Sequence, residues 1–127
     1  MQGKYLFEYA IIRIVPRVER EEFLNVGIIL YCKELKFLES KYTINKARLN
    51  ALCAETDCDE VDEHLRSFEK ISNGNKDGGP IAELDLPSRF RWLTAVRSTI
   101  IQTSKVHPGF CDDPKETLLK IYSQLVL

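Results

Sequence analysis

The 127-residue chain has one tryptophan, one methionine and two histidines, and no excess of either charge: 18 Lys and Arg stand against 19 Asp and Glu, a net charge of −1. That balance excludes a surface given over wholly to nucleic acid, which needs a dominant basic field. Six Gly and five Pro are too few for a collagenous or low-complexity chain. No uncharged stretch approaches the roughly 20 residues of a membrane span. The opening, MQGKYLFEYAIIRIV, is broken by Lys4, Glu8 and Arg13, so it lacks the apolar run of a secretory signal. Catalytic signatures are missing too. There is no Gly-x-Ser-x-Gly, no His-Glu-x-x-His, no phosphate loop and no glycine-rich dinucleotide turn. The reading therefore leans away from an enzyme, and no cofactor is implied.

What is present describes a soluble globular chain. Hydrophobic residues make up 44% and charged residues 29%, enough to bury a core without disulfide or metal staples. Residues 1–127 are expected to form a single domain, with a flexible loop at 73–80 where three Gly and one Pro fall within eight residues. Charge is segregated along the chain. Residues 1–54 hold nine basic and six acidic groups, residues 55–86 three and ten, and residues 87–127 six and three. An acidic block thus separates two basic ends, which could still build a local basic site together. Cys32, Cys53, Cys58 and Cys111 are expected to be reduced thiols in the cytoplasm.

The hydrophobic pattern predicts an α+β fold, a mainly antiparallel sheet with helices packed on one face. YLFEYAIIRIV (5–15) reads as a strand buried on both faces for part of its length, ended by Pro16. Residues 25–32 form the second strand, and Lys33-Glu34 turn into an edge strand at 35–42. Ile44, Ala47, Leu49 and Leu52 suit a short helix. Val61, Leu65, Phe68 and Ser72 suit a longer one, with Asp59 as its expected N-cap. Ile81–Leu86 reads as a short strand or extended arm, 98–104 as a strand, and His107–Phe110 as a turn. Asp112 or Asp113 caps a last helix whose first residue is Pro114.

Two stretches resemble a known family. YAIIRIVPRVEREEFLNVGIIL (9–30) and SRFRWLTAVRSTIIQTSKVHPGF followed by CDDP (88–114) are similar to the bacterial family catalogued as domain of unknown function 3037. Pro, Glu, Asn-x-Gly and Arg-x-Arg-Trp-Leu occur in order at similar spacing. The chain departs from that pattern at Val96, where the family often has Pro. The resemblance implies a small bacterial protein, often encoded beside a HipA-like kinase, and it carries no catalytic residues across. It therefore implies a possible protein partner.

The residue types point to a ligand or partner site rather than to chemistry. Arg89, Arg91 and Arg97 lie within nine residues, near Trp92, Gln102 and His107. Guanidinium forks bind phosphate or carboxylate bidentately, and a tryptophan face stacks a base or a guanidinium. The bland alternative pairs these arginines with Glu21, Glu22 or the acidic block. Arg13 shares a strand face with Phe7, Tyr9, Ile11 and Val15, so it needs a partner. An internal ion pair with Glu21 or Glu22 is the first expectation, and a pocket aimed at an anion the second. Asn25-Val26-Gly27 is expected to mark a bulge or a close backbone approach. Glu22 and Asn25 could hold a water or a metal, but two such residues define no metal site. Cys53, Cys58, His64, His107 and Cys111 have spacings poorly suited to zinc. Cys32 reads as a buried small hydrophobe.

Three functions compete. The first is an interaction or accessory module, with the HipA-like kinase as the implied partner. The second is a phosphate, nucleotide or nucleic-acid binding domain using Arg89, Arg91, Trp92 and Arg97. The third is a phosphodiester hydrolase using Arg13, Glu22, Asn25 and His107. Each binding reading asks the arginines of the two end segments to frame one recess.

Overall fold

The computed structural model describes residues 3–127. Strands β1 (Tyr5–Ile14), β2 (Leu24–Cys32) and β3 (Phe37–Tyr42) form an antiparallel meander. Helices α1 (Lys46–Leu52), α2 (Cys58–Asn73) and α3 (Leu86–Leu93) follow. Short strands β4 (Ile101–Thr103) and β5 (His107–Cys111) lead into helix α4 (Pro114–Leu125). The five strands make one sheet with β1 at its centre. β2 pairs with one edge of β1, and β4 and β5 share the other. Ser104 spans the break between β4 and β5. Its N–H donates to the Ile11 carbonyl at 2.9 Å, and its Oγ accepts from the Ile11 N–H at 2.8 Å. The ladder of hydrogen bonds along β1 thus continues through the interruption.

The α+β, antiparallel reading holds. The expected single helical layer does not, because helices lie on both faces of the sheet. Ala10, Ile12, Ile14, Ile29 and Tyr31 point one way, into a core with Leu49, Leu65, Phe68 and Phe90 from α1–α3. Phe7, Ile28, Leu30 and Cys32 point the other way, against Leu118 and Tyr122 of α4. The cause is written in β2. From Val26 to Cys32 every residue is buried and none is charged, so neither face tolerates water.

Several local expectations shift. Asp57, not Asp59, caps α2, accepting from the Asp59 and Glu60 N–H groups. Residues 81–86 are not extended: Pro80–Glu83 form a 3-10 turn and α3 begins at Leu86. His107–Phe110 belongs to β5 rather than a turn. Proline is tolerated there because β5 lies at the sheet edge, where a missing N–H removes no inner ladder bond. Residues 33–36 all form the β2–β3 turn, with Lys36 at φ 51. The bulge expected near Gly27 is present. The β1–β2 register slips between Ile12 and Arg13, so Ile12 faces Gly27 while Arg13 faces Asn25. A Cβ on Gly27 would stand 2.5 Å from the Lys41 carbonyl oxygen.

Candidate functional site

The nine residues singled out above divide into separate settings. Arg91 lies on α3 and forms a bidentate pair with Glu8 of β1, at 3.0 and 2.8 Å. Glu8 sits on the α1–α3 side of the sheet, because it alternates with Phe7 and Tyr9. Arg13 occupies the other side. The two end segments do meet, through β1 and β4, but their guanidinium groups do not frame one cleft. Arg89 has a structural setting. It donates to the Leu84 carbonyl at 2.6 Å, and its guanidinium lies over Gly74, the left-handed C-cap of α2 at φ 71. A positive group there suits the negative end of the helix.

Glu22 turns to Arg20, at 2.6 Å, and not to Arg13. The expected internal ion pair of Arg13 is therefore replaced. Its Nε donates to Asn25 Oδ1 at 3.3 Å, and its guanidinium carbon stands 3.9 Å from the centre of the Phe23 ring. Gln102 faces Arg13 across β4. His107 faces Tyr9 across β5, their rings 5.3 Å apart.

Trp92, Arg97 and Gln102 line a recess of about 250 Å³ between α2, the α3–β4 connection and β4. Its walls are mainly apolar, with Phe68, Ile71 and Leu93 among them. The Arg97 guanidinium lies 4.4 Å from the centre of the Trp92 ring and also donates to the Trp92 carbonyl. No carboxylate pairs with Arg97 among the described residues. Trp92 is 39% exposed and the neighbouring Val96 fully so. A cation held on an aromatic face above an apolar floor takes a ligand with an anionic end and an apolar body.

A second cavity, of about 400 Å³, lies where the 16–22 connection meets the end of α1. Glu22 lines it together with Arg17, Arg20, Cys53 and Glu55. Its charges cancel in pairs, Arg17 with Glu55 at 3.3 Å and Arg20 with Glu22. The Cys53 thiol is drawn below the ordinary cysteine value by the nearby Thr56 hydroxyl, then by the Glu55 backbone, with Arg17 adding to both, although the Thr56 hydroxyl makes no hydrogen bond of ordinary geometry. In the sequence Cys53 stands out only as a possible zinc ligand. Nothing local in the sequence marks it, because the arginines of the 17–20 turn reach the end of α1 only through the fold. Cys32 is buried as expected. Cys111 is also buried, and burial pushes its thiol up. Among the described residues no three His, Cys, Asp or Glu side chains gather to hold a metal. Among the described residues no helix is long and apolar enough to cross a membrane.

One protein family, described as "Protein of unknown function (DUF3037)", matches this chain over residues 9–126. No curated protein and no solved structure matches it.

Proposed function

The chain belongs to this family of unknown function (DUF3037), and from that membership we propose that it is an interaction module that docks a partner protein at the Trp92–Arg97 recess. One observation carries the reading. Arg97 is laid over Trp92 without a carboxylate partner among the described residues, at the mouth of an apolar cavity. A partner segment with a carboxylate beside an apolar side chain fits that pair of features. The exposed Val96 and Trp92 extend the apolar area around the opening, and apolar area concentrated around an aromatic and an arginine is the composition of a binding hot spot. The HipA-like kinase implied by the family resemblance is the first partner to test.

The experiment is co-expression with that kinase, followed by pull-down and by titration of Trp92 fluorescence. Trp92 is the sole tryptophan, so the signal comes from the recess. A stable complex that Arg97→Glu weakens at least tenfold supports the reading. No complex, or one indifferent to Arg97→Glu, overturns it.

A phosphate-bearing small ligand is the second reading. The stacked Arg97–Trp92 pair favours it, since it offers a guanidinium fork and an aromatic face together. It predicts a Trp92 response to nucleotides that weakens steeply with salt.

A further inference from the structure

The Arg13 side chain is built into an unusual state for a cation. It projects from the central strand on the face shared with Phe7, Tyr9 and Ile11, and it is half-buried. Its Nε is occupied by Asn25 Oδ1 at 3.3 Å, and Phe23 covers its plane at 3.9 Å. Asn25 is itself held, because its Nδ2 donates to the Leu125 carbonyl at the end of α4, at 3.4 Å. That contact aims Oδ1 at Arg13. The bulge at Ile12/Arg13 brings Asn25 opposite Arg13. Among the described residues, the two terminal nitrogens of Arg13 have neither a hydrogen bond nor an ion pair. Glu22, the nearby carboxylate expected to neutralise it, is taken by Arg20.

A guanidinium fixed through its Nε and its face has already lost the rotamer freedom that anion binding normally costs. What remains is a two-pronged donor edge matched to a carboxylate or phosphate. Partial burial without a counter-charge is unfavourable, and burial lowers the Arg13 pKa accordingly. An external anion relieves that cost. The surroundings select the rest of the ligand. Phe23 is 45% exposed, Ile11 is half-buried on the same face, and Tyr9 stacks on His107 beyond it.

We propose that Arg13, held by Asn25 and Phe23, binds an oxyanion carried on an aromatic or apolar body, at a site distinct from the Trp92–Arg97 recess. The anion sits on the terminal nitrogens of Arg13 and the body lies along Phe23 and Ile11.

The test is an NMR titration of the intact chain with sodium benzoate, sodium acetate and inorganic phosphate, at constant ionic strength set with chloride. The Nε–H signal of Arg13 and the backbone amides of Ile11 and Asn25 are followed, with the Nε–H of the surface residue Arg66 as internal control. Saturable shifts at Arg13 but not Arg66 are expected, with benzoate bound several-fold more tightly than acetate. Tighter binding of inorganic phosphate, which carries no apolar body, than of benzoate overturns the proposal. Arg13→Lys retains the charge but not the fork, and should weaken binding at least tenfold as read from the Ile11 and Asn25 amides. Asn25→Asp places a carboxylate against the guanidinium and should block binding while the protein stays folded, which guards against a mere folding failure of the first variant. Arg97→Gln should leave the titration unchanged, so this site and the recess fail or succeed separately. Linear shifts for all three anions, or equal affinity in Arg13→Lys and Asn25→Asp, overturn the proposal.

Discussion

Arg91 and Arg13 carry the same group into opposite electrostatic settings. Arg91 meets Glu8 in a two-point pair whose members are half-exposed and partly exposed, so its net worth is set by geometry against solvent screening. Arg91→Ala is expected to cost about 0.5–1 kcal/mol, with a coupling to Glu8→Gln of similar size in a double-mutant cycle followed by chemical denaturation. The pairing of Arg91 with an acid was legible in the sequence as a type of outcome. Its partner was not, because Glu8 lies 83 residues away and no periodicity links a helix to a strand so distant. Arg13 is the converse case. Glu21 and Glu22 are its neighbours in sequence, but the chain turns between them through the 3-10 turn at Val18–Arg20 and through Glu21 at φ 57. Glu22 is thereby handed to Arg20. Cys53 carries a third prediction at this scale. Because its thiol is held low by Thr56, Glu55 and Arg17, a larger share is thiolate at neutral pH, and the thiolate is the nucleophile. Iodoacetamide labelling followed by peptide mass spectrometry should modify Cys53 ahead of Cys58, with the labelling rate rising at a lower pH than for an ordinary cysteine. Arg17→Ala should slow it. Equal rates at the two cysteines would count against this setting.

Elements follow from the sequence more directly than their ends do. The β1–β2–β3 meander, α2 and α4 all follow from periodicity, and Pro16, Gly74 and Pro114 stop or start them as proline and glycine chemistry requires. Helix α2 starts two residues before the position expected from Asp59, because Asp57 and Asp59 are equally good caps by type and only the backbone decides which one is non-helical. Asp57→Ala should cost about 1 kcal/mol, while Asp57→Asn should be nearly neutral, both read from urea denaturation midpoints. His107–Phe110 contains Pro and Gly, both turn formers, yet lies in β5. The pairing with Tyr5–Tyr9 along an edge outweighs the local preference. At the bulge the prediction is sharp. Gly27→Ala sets a methyl 2.5 Å from a backbone carbonyl oxygen of β3, a group that cannot step aside as a flexible side chain would. A loss of about 2 kcal/mol or more is expected in thermal or chemical unfolding. Full retention of stability would mean that β3 is free to shift away from β2.

On the scale of the whole molecule, α4 closes the second face of the sheet. Leu118 is fully buried there against Ile28, Leu30 and Cys32. Leu118→Ala is expected to cost about 2–5 kcal/mol, and it should expose α4 to limited proteolysis before the α1–α3 side. Equal loss of protection on both sides would instead mean that the two layers unfold as one cooperative unit. The sequence by itself determined the α+β class, the antiparallel β1–β2–β3 meander, helices α2 and α4, the irregularity at Gly27 and a set of arginines in search of anions. These depend on local periodicity and residue chemistry, which neighbours in the chain already express. Only the tertiary structure decided that helices cover both faces, that Arg91 is neutralised by Glu8, and that Arg13 and Arg97 each rest on an aromatic ring rather than on an acid. Those outcomes depend on which distant side chains the sheet register and helix packing bring within a few ångströms, where charge interactions are strong enough to choose between partners.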